Sequence, residues 1–128
     1  MKMWIKTIIT ASALGFGLSC QTGIDYRKPE ELKSLIESKT EEYLLVDVRT
    51  EAEYDSGYIP TAINIPYTEI GEKLPVKDKS ALIIVYCRSG NRSSIAKSTL
   101  DGLGYKRVVD FGGVYRWTGE LYFSSVDN

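Results

Sequence analysis

Apolar and polar positions alternate differently on the two sides of residue 20. Before it, Lys2 and Lys6 are the only charges, and Thr7 to Ser19 is an uncharged run rich in Ile, Ala, Leu and Gly. A spanning helix needs about 20 apolar residues, so the run is short for one. Gly15 and Gly17 disfavour the alternative of a buried core helix. A basic start, a short apolar middle and small residues at the end describe an export signal over residues 1–19.

Beyond Cys20 the pattern is that of a folded domain. Residues 20–28 form a polar tether, with a short strand expected near Ile24–Tyr26. Pro29-Glu30-Glu31 opens a helix, since proline suits the first helical position and acids suit the first turn. Leu32, Leu35 and Ile36 form its apolar stripe, and it ends near Lys39. Tyr43 to Asp47 is a short continuous apolar run ending in an acid, as in a strand buried on both faces. Thr50-Glu51-Ala52-Glu53 is a capping box that starts a short helix. Gly57 to Pro60 turns the chain, Ala62 to Ile65 suits a short strand, and Tyr67 to Lys73 suits a short helix. Ala81 to Tyr86 is the clearest buried strand. A polar glycine loop follows, then a helix from about Ser93 to Leu103 with Ile95, Ala96, Thr99, Leu100 and Leu103 as its buried face. Gly104 stops it. Val108-Val109 lies in the last strand, and Gly112-Gly113 turns into a final short helix around Val114–Trp117.

Strand and helix in alternation predict an α/β domain over residues 29–128, with a parallel sheet covered on both faces. Ligands bind such sheets beyond the carboxyl ends of the strands. Three strand ends then converge: Asp47 and Arg49, Cys87 to Arg92, and Phe111 to Gly113.

Composition removes several classes of chemistry. The chain has 128 residues, 43% hydrophobic and 26% charged, which suits one globular domain. Its net charge is −1, so no basic excess points to nucleic acid. It contains no histidine. That excludes Ser-His-Asp and Cys-His nucleophile activation and any His-ligated metal. Its two cysteines, Cys20 and Cys87, are too far apart in sequence for a CxxC redox pair and too few for a four-cysteine zinc site. No metal or cofactor is expected.

Cys20 closes the export signal, and Gly17-Leu18-Ser19-Cys20 resembles a bacterial lipoprotein cleavage box. That resemblance implies that Cys20 becomes the first mature residue and carries lipid, holding the domain on a membrane of the cell envelope. Ala11-Ser12-Ala13 offers ordinary cleavage instead, which would leave a soluble exported protein. Cleavage before Cys20 gives a mature charge of −3, because Lys2 and Lys6 leave and no acid does. Cys87 is then the odd thiol in an oxidising compartment, a flag for intermolecular pairing or reactivity.

The loop Cys87-Arg88-Ser89-Gly90-Asn91-Arg92 leaves a buried strand and enters a helix. Backbone N–H groups in such a loop form an anion cradle. Gly90 supplies the positive φ that a tight cradle needs. Cys87 would sit at the rim, where the cradle, the helix N-terminus and two arginines favour its thiolate. A buried core cysteine is the plainer reading, but core filler does not usually open a polar, doubly basic loop. No G-x-x-x-x-G-K pattern exists for a nucleotide site.

These residues resemble the rhodanese (sulfurtransferase) family, in its exported single-domain form. Cys-x-x-Gly-x-Arg at 87–92 is similar to that family's active loop. Val46-Asp47-Val48-Arg49, Glu53-Tyr54, Gly57-Tyr58-Ile59-Pro60 and Ala62 to Pro66 are similar to its upstream motif, and Gly112-Gly113 with Trp117 to its closing one. The family often has histidine where Tyr58 stands and glycine where Thr61 stands. The resemblance implies a three-layer fold around a five-stranded, mostly parallel sheet. It implies sulfur transfer from a small donor such as thiosulfate, through a Cys87 persulfide, to a thiol or cyanide. Residues 88–92 would stabilise the persulfide, with Arg92 and Arg88 holding the donor's oxyanion. Asp47 would either position an arginine or cap the next segment. Arg49 would be structural, pairing with Glu53, and Trp117 would be a packing lid. A monomer is expected. Two alternatives use the same loop: a non-catalytic persulfide carrier or redox partner, and a phosphatase or arsenate reductase.

Overall fold

The computed structural model describes residues 23–124, so the export signal, its cleavage site and Cys20 lie outside the described residues. Four strands form one parallel sheet: β1 (Leu44–Asp47), β2 (Ile63–Asn64), β3 (Leu82–Cys87) and β4 (Arg107–Gly113), in the order β2-β1-β3-β4. The helices are α1 (Pro29–Ser38), α2 (Glu51–Asp55), α3 (Ile70–Lys73) and α4 (Asn91–Gly102). A 3-10 turn, Val114–Arg116, follows β4.

β3 is buried at all of its positions. Its side chains alternate between two cores, as strand geometry requires. Ile83, Val85 and Cys87 join Ala96 and Leu100 of α4 and Ile70 of α3. Leu82, Ile84 and Tyr86 join Leu32 and Leu35 of α1. The result is three layers, with Cys87 pointing to the α4 face and Tyr86 to the α1 face. From β1 the chain crosses to β2 on one side, and from β3 it crosses to β4 on the other. The carboxyl ends of β1 and β3 therefore flank the switch point where such sheets form sites.

Four of the expected five strands are described, and the fifth is not shown among residues 23–124. Two expectations need correction. The segment expected as a strand near Ile24–Tyr26 is a turn instead. The Asp25 carboxylate accepts from the Arg27 N–H and guanidinium, and the Asp25 carbonyl accepts from the Lys28 N–H. Tyr26 leaves this turn to enter the α1-side core, its hydroxyl donating to Glu41 at 2.7 Å.

α4 begins at Asn91, two residues before the expected Ser93. Its buried line is Ser93, Ala96 and Leu100. Ile95 and Leu103, expected inside, are 49% and 45% exposed, and Thr99 is exposed. Small residues on the inner line let the helix lie close on β3 and β4, and the larger apolar ones rotate outward. Thr99 and Leu103 flank Gly71 of α3.

The chain closes with a strap. Tyr122 makes an isolated antiparallel bridge with Tyr58, two N–H···O bonds of 2.8 Å. Tyr58 stacks on Tyr54 at 4.1 Å between ring centroids. Leu121 and Phe123 cover Gly57, and the Ser124 hydroxyl donates to Asp55.

Thr61 stands at φ +73°, in the left-handed region that a β-branched residue resists. Its hydroxyl compensates only through an exposed 2.9 Å bond with Tyr43. Thr61→Gly should therefore stabilise the fold by about 0.5–1 kcal/mol, read as a higher urea midpoint. A lower midpoint would show that the hydroxyl contact outweighs the backbone strain.

Candidate active site

At the end of β1, Asp47 is fully buried. It receives the Arg49 backbone N–H at 2.9 Å and the Arg49 guanidinium on both oxygens, with Nη2 at 2.6 Å. Arg49 Nη2 also donates to the Gly57 carbonyl at 2.7 Å. Asp47 thus both positions an arginine and caps the following turn. Arg49 pairs with Asp47 rather than with Glu53, because a two-residue turn brings its side chain back over the strand end. The fixed turn also presents the Ile59 N–H to the Tyr86 hydroxyl at 3.0 Å.

Cys87 ends β3, buried to 1% exposure. Gly90, at φ +107°, turns the chain so that its N–H points at Sγ, 3.0 Å away. It is also the residue before α4, so the helix N-terminus faces the sulfur. Ser93 Oγ lies 3.5 Å from Sγ and donates to the Gly90 carbonyl at 3.1 Å. Burial alone would push the thiol's pKa up. The Ser93 hydroxyl, then the N–H groups of Ser93, Gly90 and Ser89, outweigh burial and hold it below the ordinary thiol value.

β4 supplies the opposite wall. Its register against β3 shifts at Val85/Tyr86, so that Cys87 pairs with Gly113. Gly113 is needed there. A Cβ would lie 2.6 Å from the Arg88 carbonyl and 2.3 Å from the Tyr115 ring.

The two loop arginines differ. Arg92 forms a two-pronged pair with Glu53, at 2.8 and 2.9 Å. Arg88 is exposed and has no side-chain partner among the described residues. Ser89 and Asn91 are exposed as well, and Asn91 already belongs to α4. Trp117 faces the α1 side, where it lines a groove of 610 Å³ with Lys33, Ile36 and Tyr122 that includes no residue of the Cys87 loop. Its indole N–H donates to the Glu120 carbonyl at 3.0 Å.

Two roles here lie outside the sequence reading. Glu53 is the capping residue expected, but its ion-pair partner is Arg92 rather than Arg49, and nothing local signals a partner 39 positions away. Ser93 was visible in principle, since it precedes Ala96 and Leu100 by three and seven positions on one helix face. Among the described residues, no group of His, Cys, Asp or Glu is placed to hold a metal.

A helix N-terminus and backbone N–H groups thus surround a buried thiol held below its ordinary pKa, at the carboxyl edge of a sheet whose four described strands are parallel. The profile described as "Rhodanese-like domain" matches residues 28–120, and the chain belongs to that family. A sulfurtransferase of Allochromatium vinosum is 42% identical over 79 residues, 61% of this chain and 74% of the relative. Thiosulfate sulfurtransferase PspE of Escherichia coli is 38% identical over 71 residues, 54% of this chain and 68% of the relative. The solved "rhodanese with anions from E. coli" superposes with a TM-score of 0.62 at 32% identity, covering 65% of this chain and all of that one.

The Glu53–Arg92 pair ties α2 to the start of α4 and sets an acid limit. The Arg92 guanidinium, with help from Thr50, holds the Glu53 pKa at about 2 against 4.5 when free. A depressed carboxylate stabilises fully above its unfolded pKa and loses this as pH falls through its folded one. Glu53→Gln should thus cost about 1 kcal/mol at neutral pH. In urea unfolding, variant and wild type should converge between about pH 4.5 and 2. A gap constant with pH would exclude this role.

Proposed function

We propose that this protein moves a sulfane sulfur from an anionic donor such as thiosulfate to a thiophilic acceptor through a persulfide on Cys87. As a member of its family the chain has a general role in sulfur transfer or carriage, between a sulfur donor and a thiophilic acceptor. One observation carries the finer reading: a buried sulfur, kept acidic by a hydroxyl and backbone N–H groups in a chain without histidine. Such a sulfur attacks without a base. The thiolate would take the outer sulfur of thiosulfate, and sulfite would leave with the bonding pair. The loop N–H groups would then stabilise the terminal persulfide anion. An acceptor thiolate or cyanide would attack that terminal sulfur and return the pair to Cys87. A persulfide carrier would use the same first step. No observation favours a phosphatase or arsenate reductase.

We assign the donor's oxyanion to Arg88 in place of Arg92, whose guanidinium is already engaged by Glu53. The soluble chain from Gln21 should gain one sulfur atom in intact mass with thiosulfate, and cyanide should remove it. Cys87→Ser should gain none, and a gain in that variant would sink the mechanism. In the same assay Arg88→Ala should raise the donor KM about fivefold, and an unchanged KM would refute the assignment.

Export and a lipid on Cys20 complete the proposal, supported by the N-terminal pattern. No helix among the described residues is long and apolar enough to cross a membrane. Cys20→Ala should shift the protein from the membrane fraction to the soluble one. An unchanged membrane fraction would overturn the anchor.

A further inference from the structure

We propose that the Ser93 hydroxyl is a catalytic group that follows the charge on the Cys87 sulfur, turning between that sulfur and the Gly90 carbonyl. The inference rests on the persulfide reading above. Ser93 is fully buried on α4. Its oxygen stands 3.5 Å from Sγ and 3.1 Å from the Gly90 oxygen. It has one proton and two acceptors within reach. A hydroxyl withdrawn from water costs free energy unless it is always bonded. Here it is bonded in either orientation, so it can turn without losing a partner.

The turn matches the chemistry. In the resting thiol, S–H donates to Ser93 and Ser93 donates to Gly90, one chain of two hydrogen bonds. On ionisation the sulfur can only accept, so the hydroxyl swings onto it and joins the Gly90 N–H. When the thiolate attacks the donor, a new S–S bond forms and the donor's own S–S bond breaks. Sulfite leaves with the electron pair. The negative charge now sits on the terminal sulfur, one bond farther out, and Sγ is neutral. The hydroxyl returns to the Gly90 carbonyl. When an acceptor takes the terminal sulfur, the Sγ–S bond breaks and its pair returns to Sγ. The hydroxyl swings back to meet it.

Ser93 therefore serves the thiolate as a resting state and as a leaving group. It does not assist attack by a sulfur already ionised. Removing the hydroxyl should raise the thiol's titration midpoint and slow discharge of the persulfide. Loading at high pH should be spared.

Ser93→Thr and Ser93→Val have the same size, so packing strain is common to both and only the hydroxyl differs. We expect the thiolate absorbance of the Val variant to titrate about one to two pH units above that of the Thr variant. Discharge of the loaded protein by cyanide, followed by intact mass, should be about tenfold or more slower in Val. Loading by thiosulfate well above both midpoints should agree within about threefold. Equal midpoints and equal discharge would overturn the proposal. If neither larger side chain folds, Ser93→Ala against wild type gives the same comparison, and an unchanged Ala variant overturns it equally. Failure of wild type to load any sulfur would instead defeat the persulfide reading, while the titration would still test the hydroxyl's contact with the sulfur.

Discussion

Asp47 carries a carboxylate that no solvent reaches, at the end of a strand buried through its last three positions. Such a charge is tolerable only with a partner in good geometry and with its other lone pairs engaged. Arg49 meets both conditions, since its guanidinium spans the carboxylate and its own N–H caps it. The same guanidinium reaches the Gly57 carbonyl, so one ion pair fixes the chain from the end of β1 to the turn after α2. That turn delivers Ile59 to Tyr86, next to Cys87 in sequence. α2, held between these points, presents Glu53 to Arg92. A chain of contacts thus runs from a buried acid on one strand to the first turn of the helix beside the Cys87 sulfur.

This arrangement gives three arginines of the scaffold separate duties. Arg49 answers Asp47, Arg92 answers Glu53, and Arg116 donates to the Phe111 carbonyl. The sulfur's acidity comes from short-range hydrogen bonds to a hydroxyl and to backbone N–H groups. The backbone N–H donors among them are fixed by the helix start and the left-handed Gly90. They need no rearrangement when charge develops, which is the condition for strong electrostatic stabilisation.

The central fold was legible because its signals are local. An unbroken apolar run marks β3, Thr50 and Glu53 mark a capped helix start, and Gly90 marks a left-handed turn. Each depends on residues within a stretch of at most six. Weaker patterns misled. α4 shows apolar residues on more than one face, and burial selected the line of small ones, exposing Ile95 and Leu103. Near Ile24 an apolar–polar alternation too short to specify a strand yielded to the Asp25 turn. In the site, Cys87 and its loop stood out by type and order. The pairing of Arg92 with Glu53 did not, because it joins two helices through the fold, and Arg49 offered two acids within reach along the chain.

The strap bears on where this domain ends. The family match stops at residue 120, yet Leu121 and Phe123 lie on Gly57, Tyr122 bridges Tyr58, and Ser124 reaches Asp55. Gly57 is the residue whose carbonyl Arg49 holds. The smallest unit that keeps the site's scaffold closed therefore runs to Ser124. A fragment trimmed to the matched region would lose the cover of the turn whose carbonyl Arg49 holds, and with it the bridge to Tyr58.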